Sequence, residues 1–258
     1  MKFDFDNLWS TTTHPKICSK NGFGGREYKL LRKYSKKADK YPCGSNAYYS
    51  APFHARENAL QIGARLYNLA LKAKRSDTPL RFSFKGEDNR INISFLKYIN
   101  KTDSEKTEKA QSGFLRIIDN KNPKTQADML LGLSLHIIQD FFAHVARVDL
   151  YGSKEGFYPD ELCLTEREYH KLKAFEADEI IGLRNSQFED NIRVMEWRYR
   201  ETCNITRAIS EKWKSDSPIM SITAEETGEL KFYKRIKRSL RGKFYWTVCY
   251  YEYKWKII

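Results

Sequence analysis

Apolar positions are densest between about Asn122 and Tyr151, NPKTQADMLLGLSLHIIQDFFAHVARVDLY. Pro123 follows Asn122, and a long run of Leu, Ala, Met and Ile then continues with Gly132 as its only break. This pattern predicts a helix buried on all sides. Other stretches alternate apolar and charged positions at helical spacing and predict amphipathic helices. They are Arg26 to Lys40, which is strongly basic, and His54 to Lys74 after the Pro52 break. Glu105 to Asn120 predicts a helix packed beside the buried one, and Thr165 opens another through the capping-box pattern Thr165-Glu-Arg-Glu168. Residues 187–214 place Ile192, Met195, Tyr199, Cys203, Ile209 and Trp213 on a long charged helix that walls the core, with Glu189 to Asn191 read as its cap.

Between the helices the pattern breaks. Residues 1–53 outside the basic helix read as loops around Thr11 to Pro15, Gly22 to Gly25 and Tyr41 to Gly44. The glycine cluster has no preceding strand and no phosphate-loop spacing, so it reads as a turn. Ser76 to Phe95 is mixed and predicts a short hairpin turning near Gly86 to Asn89; Gly152 to Gly156 predicts a loop. From Leu230 to Arg241 a basic helix is expected, then one or two strands after Gly242. The fold class predicted is therefore all-α, with a small β hairpin or C-terminal β segment. The organisation expected is a helical domain over 1–229 and a basic aromatic segment over 230–258.

Composition narrows the class. At 258 residues the chain can bury a sizeable core. No segment approaches the length of a membrane span. The start, MKFDFDNLW, is acidic and lacks an apolar stretch of signal-peptide length. A cytoplasmic location is expected, with secretion only by a non-classical route or if the sequence is a processed form. Five cysteines, Cys18, Cys43, Cys163, Cys203 and Cys249, are an odd number without a Cys-x-x-Cys pair, so reduced structural thiols are expected. The net charge of +13 points to polyanions, either nucleic acid or an anionic membrane surface. Nine of the Lys and Arg residues and nine aromatics fall in 230–258, where they would grip phosphates and stack on bases or rest at a lipid interface, or simply close the fold with rings inward.

The candidate chemistry lies in the buried helix. His136, Asp140 and His144 are four residues apart, and four residues advance a helix by about 400°, so all three emerge on one stripe. A carboxylate between two imidazoles in apolar surroundings is costly unless a cation compensates it, and zinc takes both ligand types. A buried His–Asp hydrogen bond would also use such a pair, but a second His at the same spacing in a chain of five histidines turns the balance to metal.

Gly132-Leu-Ser-Leu-His136-Ile-Ile-Gln-Asp140-Phe-Phe-Ala-His144 resembles the metal-binding helix of the zinc-dependent phospholipase C family and of the related zinc-dependent single-strand nucleases. The resemblance implies an all-α domain holding two or three zinc ions, with further ligands elsewhere. Thr13-His14 is similar to the family's Thr-His ligand segment, and Trp9-Ser10 to its amino-terminal tryptophan, although eight residues precede Trp9 here. Asp39 and His54 match the family's next Asp and His. His170 stands where a His-x-x-x-Glu pair is wanted, but Ala174 occupies the Glu position, leaving Glu166 or Asp178 as substitutes.

Carried over, His136, Asp140, His54 and Asp39 would hold one zinc, with Asp140 bridging to a second near His14. His144 and His170 would hold the remaining ion, and Asp39 would orient or deprotonate the attacking water as the catalytic residue. The activity implied is hydrolysis of a phosphodiester, either in phospholipid or, in the nuclease and nucleotidase alternative, in nucleic acid or nucleotide. A non-catalytic basic module binding nucleic acid or anionic membrane is a further alternative, and a purely structural protein a third.

Overall fold

The computed structural model describes residues 13–38, 58–87, 89–96, 104–142, 148–154, 162–164, 189–239 and 242–258. Its helices are α1 (Thr13–Lys20), α2 (Lys29–Lys37), α3 (Ala59–Lys74), α4 (Ser104–Asp119), α5 (Pro123–Asp140) and α6 (Glu189–Lys214). Strands β1 (Phe82–Ser83) and β2 (Ile91–Asn92) form one small sheet. A second sheet is ordered β4-β3-β6-β5, from β3 (Val148–Lys154), β4 (Leu162–Leu164), β5 (Ile222–Ser239) and β6 (Gly242–Ile257), with every neighbouring pair antiparallel. The class is the expected one: a mainly helical fold with a C-terminal β segment.

Helix α5 is the axis. The Asn122 side chain accepts the Thr125 N–H at 2.8 Å and Pro123 fills the first helical position, where a missing N–H costs nothing. From Gln126 to Asp140 every residue is buried. Helices α3 and α2 lie along its flanks. Against α3, the Ser134 hydroxyl donates to the Gly63 carbonyl at 2.7 Å, and Ile138 fills the space where Gly63 has no side chain. Against α2, the backbone passes so close that a Cβ on Gly132 would lie 2.5 Å from the Leu31 carbonyl oxygen. The glycine is what admits this approach.

Several local expectations are corrected. Helix α1 occupies Thr13 to Lys20, where a loop was expected; Pro15 falls in its first turn, the place a helix tolerates proline. The turn expected at the glycine cluster does follow, with Gly22 at φ +101° and the Arg32 guanidinium donating to the Phe23 and Gly25 carbonyls. Helix α4 is present, sets Phe114 against Phe84, by β1, and meets α5 where the Ile118 carbonyl accepts from the Gln126 side chain at 3.0 Å. The expected hairpin at 76–95 is a parallel pair, Phe82 opposite Ile91 and Ser83 opposite Asn92. Both Gly86 (φ 73°) and Asn89 (φ 61°) adopt left-handed backbone, and a chain turned twice returns in its original direction.

At the carboxyl end the basic helix expected from Leu230 is strand. β5 runs from Ile222, across the 229/230 junction, to Ser239 and pairs along its length with β6. Strand β3, read from sequence as the end of the long helix and a loop, adds to the other edge of β6. The sheet is fastened to the helices where it begins and ends: Asn68 of α3 exchanges two hydrogen bonds with Ile219, and the Trp255 indole donates to Glu201 of α6 at 2.9 Å.

Candidate metal centre

Helix α5 presents His136 and Asp140 one turn apart, both out of water, and the His136 Nε2 stands 3.2 Å from Asp140 Oδ2. Helix α1 brings the other imidazole. His14, at its second residue and buried, places Nε2 3.2 Å from Asp140 Oδ1. The two rings lie side by side with centroids 4.2 Å apart, so each oxygen of one carboxylate faces a different imidazole.

A second ring of polar groups surrounds His14. Its Nδ1 is 2.9 Å from Oε1 of Gln139, a residue with no exposed surface, and the Gln139 Nε2 reaches Thr206 Oγ1 of α6 at 3.1 Å and Cys18 Sγ of α1 at 3.4 Å. The Thr206 hydroxyl in turn donates to the Thr202 carbonyl at 2.7 Å. Burial pushes the Cys18 thiol up to about 11, so it stays protonated at neutral pH and is a packing neighbour, not a thiolate ligand.

The donor set and spacing suit a small divalent cation. One ligand atom from each of His14, His136 and Asp140 lies within 4.8 Å of the others. Ligand atoms around tetrahedral zinc are about 3.3 Å apart, which is the scale of both imidazole–carboxylate separations. A carboxylate taken into a dry interior between two imidazoles carries a desolvation cost that a cation removes.

Compared with known proteins, the chain matches no family model, no curated protein and no solved structure. The centre therefore has to be judged on its own atoms.

Of the ligands anticipated from sequence, His14, His136 and Asp140 come together. Asp39, His54, His144 and His170 lie outside the described residues, as do the substitutes Glu166 and Asp178. Helix α3 is described from Ala59, beyond His54, and α5 to Asp140 with a wider π-type turn at Phe141–Phe142, short of His144. Sequence reasoning missed Gln139 and Thr206. Gln139 left a signal, a polar residue between His136 and Asp140 in an otherwise apolar run; Thr206 left none, because a threonine on a charged helix is unremarked until its neighbours are known.

Proposed function

We propose that the chain is a zinc-dependent phosphoric ester hydrolase, with His14, His136 and Asp140 at its metal centre. The observation that carries this is the meeting of His14, on α1, with the His–Asp pair of α5, from distant parts of the chain. Zinc supplies a water of lowered pKa and neutralises the charge that develops on phosphate oxygens. The chain's own residues fix the ion and shape the site. Asp140, with one oxygen toward each imidazole, is the residue that ties the two helices to a common charge. On the resemblance, His54, His144 and His170 complete two or three zinc sites and Asp39 orients the attacking water. The substrates proposed are a phospholipid or, alternatively, a single-stranded nucleic acid or nucleotide.

Elemental analysis of the purified full chain, with hydrolysis assays on phosphodiesters, phospholipids and single-stranded nucleic acid, tests the reading. Two or three zinc ions per chain and chelator-sensitive turnover are expected. In Asp140→Asn, zinc content should fall and the thermal midpoint should lose its zinc dependence, a stabilisation of about 2.7 kcal/mol when free zinc is 100 times the dissociation constant. No retained metal after zinc is offered would overturn the proposal.

A second reading is favoured by the β5–β6 register, in which Lys234 is opposite Trp246 and Arg235 opposite Tyr245. Alternating cations and rings suit a polyanion, and the hairpin would then hold nucleic acid or an anionic membrane without chemistry. Polyanion binding that survives Asp140→Asn, with no turnover in either chain, would select it.

A further inference from the structure

The hydrogen bonds behind His14 set where its proton sits. An oxygen-to-oxygen approach of 2.7 Å between the Thr206 hydroxyl and the Thr202 carbonyl requires the hydroxyl to donate, because a carbonyl has no proton to give. Thr206 Oγ1 is then left as an acceptor toward Gln139, so the group of Gln139 that faces it must be the NH2. Its carboxamide oxygen therefore faces His14, and that oxygen too can only accept. The ring proton of neutral His14 is consequently on Nδ1, and Nε2, 3.2 Å from Asp140 Oδ1, carries the ring's lone pair.

A lone pair held against a carboxylate oxygen is unfavourable alone and favourable around a cation. The opposite tautomer would give an ordinary hydrogen-bonded His–Asp pair, and the Gln139 amide opposes it. We infer that Gln139 and Thr206 are positioning residues for the metal centre, locking His14 in the tautomer that offers Nε2 to the ion. This rests on the metal reading above. Orienting partners of this kind change metal affinity by about 10- to 100-fold when removed. Their place in the fold adds a consequence: through Thr206, α6 determines whether α1 can supply a ligand.

The test uses the full chain and four variants, Gln139→Leu, Gln139→Glu, Thr206→Val and Thr206→Ser. Zinc affinity is measured by competition with a chromophoric chelator, and the ring 15N shifts of His14 are recorded for the metal-free protein at alkaline pH, where the ring is neutral. Wild type should show the Nδ1–H form. Gln139→Leu should show Nε2–H and bind zinc about 10- to 100-fold more weakly. Gln139→Glu, which still accepts from Nδ1–H although it has no N–H to give Thr206, should keep the Nδ1–H form. Thr206→Val should weaken zinc binding and Thr206→Ser should not, a contrast that also decides the matter if Gln139→Leu fails to fold.

A loss of packing alone would lower thermal stability without changing the tautomer. An Nε2–H form in wild type, or wild-type zinc affinity in folded Gln139→Leu, would overturn the inference. A wild type that binds no zinc but shows Nδ1–H would remove the metal reading and leave the proton order standing.

Discussion

Asp128 lies on α5 about 18 Å along the helix from Asp140, far enough that its charge is a separate matter. It is buried beside the Tyr28 and Lys124 edge of a cleft of about 630 Å3, and its Oδ2 has no hydrogen-bond partner among the described residues. Burial pushes its carboxyl up from 3.8 to about 6, with the Lys124 ammonium opposing the rise. Since the folded value is the higher one, the protonated acid is favoured by folding. The corresponding stability is present below pH 4 and is lost as pH climbs through about 6. Asp128→Asn should therefore melt together with wild type at pH 4 and be more stable at pH 7.5. The difference should be on the order of 1–2 kcal/mol after allowance for screening at the cleft mouth, or a few degrees. A variant less stable than wild type at pH 7.5 would show that the ionised carboxylate is used. At this scale the sequence reveals residues whose type is unusual for their setting. His136 and Asp140 announce themselves in an apolar run, and His14 follows from the resemblance. Whether a given Asp is buried, or which way a Gln amide faces, depends on other helices and is legible only once they are in place.

Helices were legible where local signals agree with tertiary packing. Asn122-Pro123 marks the start of α5, and the basic amphipathic run of α2 and the long α6 follow from their spacing. The misreadings fall where distant partners decide. Lys, Arg and Leu from Leu230 onward favour a helix locally, but pairing with β6, from Leu230 opposite Tyr250 to Ser239 opposite Gly242, holds them in strand. Gly132 shows the same competition within one residue. An Ala there gains about 1 kcal/mol of helix propensity, yet its Cβ would meet the Leu31 carbonyl oxygen and, at 2.9 Å, the Ser35 nitrogen. Both contacts are backbone atoms of α2, so the helix itself must move, and such overpacking costs about 1–3 kcal/mol. Gly132→Ala should lower the midpoint of denaturant unfolding. Gly113 in α4 has nothing within 4 Å of a would-be Cβ, so Gly113→Ala should raise it, by about 0.5–1 kcal/mol. Equal effects at the two sites would refute the close approach of α2 to α5.

For the whole molecule, the open question is how a net charge of +13 is used by a fold whose candidate centre is enclosed. Among the described residues no helix is long and apolar enough to cross a membrane. The hairpin concentrates the basic residues, but it is also structural. β6 is the inner strand between β3 and β5, Ile257 packs against the core, and Ile258 exchanges backbone hydrogen bonds with Ser221. Deleting residues 230–258 would remove the partner of β3 along with the charge, and a loss of binding would then have two causes. Substitution separates them. Lys231, Lys234 and Arg235 are opposite Cys249, Trp246 and Tyr245, and glutamine at all three keeps the backbone pairing while removing three charges. If the hairpin grips phosphates, the log–log salt dependence of affinity for single-stranded DNA should flatten by about 2, since each contact contributes roughly 0.7. The circular dichroism spectrum and zinc content should stay as in wild type. An unchanged slope would place the polyanion contact elsewhere in the chain, whereas a flattened slope with intact phosphodiester turnover would separate the surface that gathers the substrate from the centre that cleaves it.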